Sequence, residues 1–336
     1  MNGRLVKEGD KEDMTPSGAM KIIFMGSSSF AVPSFQALVK AGYDISCAVT
    51  QPDRKRGRHL HLEGTPVKKA AERLGVGVYQ PQSVNTPAAQ EYLQDQQPDL
   101  FVVIAYGQIL DADVLHIPRL GAVNAHASLL PRYRGAAPMN WTIINGDLLT
   151  GVSVMLMNER MDAGGILFQE EYRIRPDETV LTLESVLSRQ AVALVLEAVA
   201  ALASGTARAR NQNRNKVTFA PKLRKKDGLL DWSRSAAEIS NRVRGCLGWP
   251  GAFTYYKGKR LLIHAAYPRE LTGGLGPGKQ GEILGVSHEG VFVATGSGIL
   301  AVSELQLEGG RRMPASEFCA GHTLCPGAML GAEPPG

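Results

Sequence analysis

The sequence predicts a doubly wound α/β domain with a mostly parallel sheet, followed by a smaller β-barrel. Three observations carry this. Apolar runs of strand length alternate with helical stripes from residue 21 to about residue 204. One of those runs, DLFVVIAY at 99–106, is near-continuously apolar, as a central parallel strand covered on both faces must be. Past residue 215 the texture changes to short strand candidates separated by glycine turns.

The first strand is expected over 22–25. Gly26-Ser27-Ser28-Ser29 turns the chain, and 31–40 carries a helical apolar stripe ended by Gly42. A second strand over 45–50 runs into Gln51-Pro52-Asp53 and a basic loop. Thr65-Pro66 then supplies an N-cap and a first-turn proline for a helix that stops at Gly75. After the 99–106 run, 121–126 and 151–157 add two more strands, and the amphipathic stretch 178–204 closes the domain. Residues 205–215 are polar and aperiodic, as a connector would be. Beyond it come one helix (235–245) and strand candidates at 253–256, 260–264, 281–284, 291–294 and 298–305. The Gly/Pro-rich end from 327 is expected to fray.

At 336 residues, 44% hydrophobic and 21% charged, the composition excludes a disordered or fibrous chain and suggests about two domains. The first twenty residues are polar and mixed in charge, and no run of about 18 apolar residues occurs, so a cytoplasmic protein without a membrane partner is expected. Cys47, Cys246, Cys319 and Cys325 are too scattered for a disulfide framework and form no C-x-x-C pair, which leaves free thiols. The formal charge of +5 is unevenly placed. Residues 208–260 hold fourteen Lys/Arg against Asp227, Asp231 and Glu238, a local +11 that leaves −6 for the rest. A basic connector and barrel attached to an acidic α/β domain is the layout of a nucleic-acid handle on a catalytic module.

In an open α/β sheet the ligand crevice lies at the carboxyl ends of the strands, so polar residues that end apolar runs are the ones to inspect. The Gly26-Ser27-Ser28-Ser29 turn lacks G-x-G-x-x-G and a G-K-[ST] ending, and it reads as a plain strand-to-helix turn. Asn124-Ala125-His126 puts an amide and an imidazole on one side of a strand. The loop that follows, up to Gly135, has a stiff Pro131 and two guanidiniums, Arg132 and Arg134, suited to wall a pocket and clamp an anion. Asp162, in Met161-Asp162-Ala163-Gly164-Gly165, brings a carboxylate within reach. Amide, imidazole and carboxylate without a Ser or Cys nucleophile elbow suit direct transfer of an acyl group to an amine: Asn and His can stabilise an oxyanion while Asp orients the imidazole. The alternative is a structural polar cluster. His59-Leu60-His61 has metal-ligand spacing, but Arg54, Lys55, Arg56, Arg58, Lys68 and Lys69 surround it, so no metal is expected.

Several segments resemble the methionyl-tRNA formyltransferase family. They are TQPDRKRGR, AYGQIL, NAHASLLPRYRGAAPMNWTIINGD and TGVSVMLMNERMDAGG, then FAPKLRKKDGLLDWSRSAAEI, GWPGAFTYYKGKRLLIHAA and GEILGVSHEGVFVATGSGIL. The likeness is nearly continuous from about residue 20 to 325. It implies a sheet of formyltransferase type (20–204), a linker (205–221), a C-terminal tRNA-binding barrel of OB type (222–326) and a flexible tail (327–336). Residues 1–19 have no counterpart and are expected to be a disordered extension. It further implies transfer of the formyl group of 10-formyltetrahydrofolate to the amine of initiator methionyl-tRNA by a monomer. The family's catalytic Asn, His and Asp fall on Asn124, His126 and Asp162, the same three reached from strand ends. By resemblance Ser128, Leu129, Leu130 and Pro131 line the folate site, with the backbone at Tyr106-Gly107 facing the pterin. The tRNA would meet Arg54, Arg56, Arg58, Lys222, Arg224, Lys225 and Lys226.

There are three departures. Ser29 stands where the family has Asp or Glu, which removes a carboxylate near the site entrance. His59-Leu60-His61 replaces two cations of the acceptor-end loop. Gly165 replaces a second acid after Asp162. A formyltetrahydrofolate hydrolase would use the same three residues but would not need the basic handle. A non-catalytic tRNA-binding protein would need the handle alone. A sugar-nucleotide formyltransferase would not require the matching C-terminal half.

Overall fold

The computed structural model describes residues 20–56, 61–270, 278–321 and 324–331. The expectations for 1–19, for Arg58 and His59 and for 332–336 lie outside the described residues.

The chain opens with β1 (Lys21–Gly26), a 3-10 turn at Ser29–Ala31, α1 (Val32–Lys40) and β2 (Asp44–Val49). The basic loop after Asp53 contains a small hairpin, β3 (Arg54–Arg56) and β4 (His61–Glu63), which the charge-rich sequence does not announce. Next is α2 (Pro66–Leu74): the Thr65 side chain caps it by accepting from the Lys68 amide at 3.1 Å, and Gly75 ends it at φ +70°. There follow β5 (Val78–Tyr79), α3 (Pro87–Asp95), β6 (Leu100–Ile104), α4 (Ala112–Leu115), β7 (Ala122–His126), α5 (Pro138–Ile144), β8 (Leu149–Leu156), β9 (Ile166–Arg173) and α6 (Val180–Ala203).

The N-terminal sheet has the order β5-β2-β1-β6-β7-β8-β9. Its first five strands are parallel, whereas β8 pairs antiparallel with both β7 and β9. The expected doubly wound, mostly parallel sheet is therefore present with a mixed edge. Alternation along each strand explains why two layers cover it. Ile22 and Phe24 of β1 face a core with Phe35, Leu38, Val67, Leu183 and Leu187, while Ile23 and Met25 face another with Cys47, Leu93 and Val114. All five residues of β6 are buried, which is why its sequence reads as a continuous apolar run. Helix α6 is long and apolar enough by composition to cross a membrane, but nine of its residues are buried and its stripe packs on this sheet.

The C-terminal half begins with α7 (Ala236–Gly245), capped by Ser235 and Glu238. It continues with β10 (Ala252–Tyr256), β11 (Lys259–Arg269), β12 (Ile283–Ser287), β13 (Gly290–Ala294), β14 (Ile299–Leu307), β15 (Met313–Pro314) and α8 (Ala315–Gly321). The sheet is antiparallel in the order β10-β11-β14-β13-β12, with β15 beside β14. No ladder joins β10 to β12 among the described residues, so of the expected OB-like barrel the strands form an antiparallel sheet whose two edge strands do not pair with each other. Residues 327–331, expected to fray, instead lie between those two strands. The Ile283 amide donates to the Ala328 carbonyl, Leu330 to Gly281, and Gly331 to Tyr255 of β10, at 2.8, 2.8 and 3.0 Å. Residues 327–331 are held there because these backbone groups have partners.

The two halves meet where α5 crosses α7. A Cβ on Gly245 would come 2.6 Å from Ile144 Cγ1 and 2.9 Å from the Asn140 carbonyl, so only a glycine lets the helices approach this closely. Asn140 Nδ2 donates to the Gly245 carbonyl at 2.8 Å, and Trp141 Nε1 donates to the Pro221 carbonyl at 2.7 Å. Truncating Leu187, fully buried between α6 and the sheet, is expected to cost about 2–5 kcal/mol, read as a lower urea midpoint for Leu187→Ala.

Candidate active site

The strand order reverses between β1 and β6, and a cavity of about 670 Å³ opens over the carboxyl ends of β1, β6 and β7, where a doubly wound sheet leaves its crevice. Its floor is pinned by main chain. Ser27 Oγ donates to the Tyr106 carbonyl at 2.8 Å and the Ser27 amide donates to the Ala105 carbonyl at 3.2 Å, so the first turn and the end of β6 move as one. Gly107 continues that floor at φ +90°.

Asn124 and His126, two residues apart on β7, both line the cavity, as their alternation predicts. Asn124 Nδ2 donates to the Val103 carbonyl at 3.0 Å, while its Oδ1 is buried without a partner. A carbonyl only accepts, so this bond fixes which amide atom is nitrogen and leaves a second N–H and Oδ1 for a ligand. The same logic sets the His126 tautomer. Nε2 lies 2.8 Å from the Tyr133 carbonyl and must carry a proton, so Nδ1 is the ring atom left to exchange one.

Asp162 does not arrive by the route its sequence position suggests. Because β8 runs antiparallel to β7, its last residue, Leu156, pairs with Val123 at the far edge from His126. The loop 157–165 folds back over β7 instead. Asp162 sits in the left-handed region at φ +50°, and a Cβ on Gly164 would fall 1.6 Å from the Leu156 carbonyl. Asp162 Oδ2 accepts the Gly135 amide at 2.7 Å and stands 3.7 Å from His126 Nδ1. The carboxylate thus faces Nδ1 beyond hydrogen-bond distance, while Tyr133 supplies the orienting hydrogen bond.

Other expectations fare differently. Arg132 and Arg134, expected to clamp an anion, are engaged by side chains of this chain instead. Arg132 Nη2 pairs with Asp147 Oδ2 at 2.6 Å, and Arg134 donates through Nε and Nη2 to Gln212 Oε1 at 3.1 and 2.7 Å. Burial lowers the Arg134 guanidinium from its ordinary value, and Asp162 acts in the opposite sense. Tyr106 and Gly107 line the cavity, but Ser128, Leu129, Leu130 and Pro131 do not. Ser128 is fully buried and donates to the Arg132 carbonyl, and Leu130 packs with Met155 and Ile166, because this loop turns beneath the site to anchor on β8. Arg54, Lys222, Arg224, Lys225 and Lys226 are exposed, and the three lysines have no ion pair among the described residues. Burial pushes the Cys47 and Cys246 thiols up to about 12 and about 11, so neither is a nucleophile.

Two residues escape sequence reasoning. Glu184 of α6 lines the cavity and accepts from Ser29 Oγ at 2.5 Å, so a carboxylate stands beside the position where the family pattern would place one. Alone on a helix face, it reads in sequence as a solvated charge. Gln212 lies in the aperiodic connector and carries no signal at all. Its Nε2 donates to the Asp162 and Gly164 carbonyls, both at 2.8 Å, while its Oε1 takes both bonds from Arg134.

Comparison with known proteins follows the same division. A family described as "Formyl transferase" matches residues 20–199, and "Formyl transferase, C-terminal domain" matches 222–323. The methionyl-tRNA formyltransferase of Citrifermentans bemidjiense is 43% identical over 314 residues, covering 94% of this chain and 97% of that protein. That of Geobacter sulfurreducens is 42% identical, covering 93% and 97%. Two solved structures share the fold at low identity. HypX from Aquifex aeolicus, in complex with tetrahydrofolic acid, has a TM-score of 0.63 at 18% identity over 90% of this chain, which spans only 47% of HypX. The N-formyltransferase from Helicobacter canadensis, in complex with folinic acid and dTDP-3-aminofucose, has a TM-score of 0.64 at 16% identity, covering 84% and 98%.

If Gln212 positions the Asp162 loop, Gln212→Leu should lower turnover roughly tenfold, equivalent to about 1.4 kcal/mol and within the usual cost of stranding buried polar partners. The check is kcat beside the thermal midpoint, which should fall by only a few degrees.

Proposed function

Because the chain belongs to the methionyl-tRNA formyltransferase family, whose members formylate the methionyl group of charged tRNA, we propose that Asn124, His126 and Asp162 carry that transfer here, with 10-formyltetrahydrofolate as donor. One observation supports it above the rest: an amide with unclaimed polar atoms, an imidazole with one free nitrogen and a carboxylate fixed by a backbone amide converge on one cavity. The hydrolase and sugar-nucleotide alternatives are not favoured, since the relatives matched along both halves are methionyl-tRNA formyltransferases.

The cavity suits a folate. It is large enough for a fused ring system and its formyl-bearing arm, and the buried orphan atoms Asn124 Oδ1 and Ser28 Oγ are the unmet polar groups such a ligand would satisfy. The attacking amine forms a C–N bond to the formyl carbon while the bond from that carbon to the donor nitrogen breaks. The amine loses one proton and the donor nitrogen gains one. His126 Nδ1 can take and return that proton, which balances the exchange. The second Asn124 N–H donates to the oxyanion that develops on the formyl oxygen, and Oδ1 can accept from the amine as it approaches. Asp162, 3.7 Å from Nδ1, offsets the charge of the imidazolium while Nδ1 holds the proton.

On this proposal residues 222–326 are the tRNA handle, with Arg54, Arg56, Arg58, Lys222, Arg224, Lys225 and Lys226 meeting phosphates. The enzyme works in the cytoplasm as a monomer and needs no metal.

With both substrates saturating, Asn124→Ala should lose about 10²- to 10³-fold in turnover and His126→Ala about 10²- to 10⁴-fold, measured as labelled formyl on methionyl-tRNA. Near wild-type turnover in either variant removes that residue from the mechanism. Replacing Lys222, Lys225 and Lys226 together by alanine should lower the slope of log K against log salt for tRNA by about one for each phosphate these lysines neutralise. An unchanged slope would mean that they do not meet phosphate.

A further inference from the structure

Behind Gly135, which lines the cavity, the connector runs beside the loop after β7. The Arg134 amide donates to the Thr218 carbonyl at 2.9 Å, and the Ala220 amide donates back to the Arg134 carbonyl at 2.7 Å. Thr218 Oγ1 accepts the Tyr133 amide at 2.9 Å, and the Ala220 carbonyl accepts the Ala137 amide at 3.2 Å. Between these anchors Phe219 sits directly opposite Arg134 in a parallel bridge. Directly opposite residues put their side chains on the same face of a ladder, and the Arg134 side chain reaches Gln212, which holds the Asp162 loop. Phe219 therefore shares a face with Arg134, one residue before Gly135 of the cavity wall, and it is 71% exposed.

A single exposed aromatic is ordinary on a protein surface, but this one is held by backbone hydrogen bonds on both sides and its neighbours along the chain are basic. Residues 205–226 contain eight Lys/Arg and no acid, and Lys216 and Lys222, three residues to either side, are exposed without an ion pair among the described residues. An apolar protein partner would find cations around the ring. A single-stranded nucleic acid would find what it needs: a π-face for a base and positive charge for its phosphates.

We propose that Phe219 is the stacking platform for the unpaired terminal base of the charged tRNA, with Lys216 and Lys222 beside it on the backbone phosphates. The inference rests on methionyl-tRNA being the acceptor. The methionyl ester is carried on the terminal ribose, so once the amine reaches Asn124 and His126 the base on that ribose must lie at the mouth of the cavity. A platform fixed to the Arg134 strand at that mouth would hold the ester in register with the catalytic residues without reading sequence, since every base offers a π-face.

The test uses the full-length enzyme. Phe219→Ala should raise KM for methionyl-tRNA about tenfold while KM for the folate stays within twofold, and Phe219→Trp should keep the wild-type value. An acceptor-stem RNA hairpin serves as a competing ligand, with its 3′-terminal nucleotide intact or abasic. Loss of the base should weaken inhibition of the wild type about tenfold and leave inhibition of Phe219→Ala unchanged. Equal losses in the two proteins, or an unchanged KM in Phe219→Ala, would overturn the platform even if formyl transfer is normal. A wild-type enzyme that formylates no methionyl-tRNA would instead overturn the acceptor on which the platform depends.

Discussion

The geometry of the site hangs on the backbone of Gly135. Its amide fixes Asp162, and its φ of +125° together with the missing side chain lets the Ala220 carbonyl approach to where a Cβ would be only 2.6 Å away. Its two predecessors do related work. The Tyr133 carbonyl sets the tautomer of His126, and the Arg134 side chain holds Gln212. Three consecutive residues thus orient the imidazole, the connector and the carboxylate, so a shift of this loop would disturb all three at once. Tyr133 and Asp162 both occupy the left-handed region, where ordinary residues are uncommon, and each is held there by hydrogen bonds on either side.

Much of this is legible in the sequence. The five buried residues of β6 announce themselves as a central strand because a strand covered on both faces has no reason to alternate. Asn124 and His126 stand out because two polar residues of the same parity at the end of an apolar strand need a purpose. What stays hidden depends on direction and distance. Nothing in 151–157 tells whether that strand runs with or against its neighbour, and the direction of β8 decides that Asp162 must come back over β7. Ser128 to Pro131 look like pocket wall from their place after His126, but burial of Ser128 and Leu130 beneath the loop shows them as its foundation.

The departures from the family pattern also look different in three dimensions. Along the chain, Ser29 takes a charge away from the entrance, yet in the fold its hydroxyl holds Glu184, reached from α6 155 residues later. A carboxylate supplied from a distant helix stands at the same doorway. A comparison of aligned positions registers only the loss, because side chains that replace one another across a cavity share no column. The C-terminal sheet makes a similar point: its gap between β10 and β12 is spanned by residues 327–331, drawn from a stretch whose composition suggests only a loose end.

The placement of Gln212 bears on how such an enzyme can be divided. Counted along the chain, residues 205–221 join two modules and belong to neither. Counted by hydrogen bonds they belong to the first, since Gln212, Thr218 and Ala220 close the wall around Asp162 and Gly135. Recombination that exchanged one C-terminal half for another at the end of α6 would leave the sheet whole and the wall around Asp162 and Gly135 incomplete. Inheritance of a working active site would require the crossover to fall beyond Ala220, which makes the connector the hereditary unit of the catalytic half.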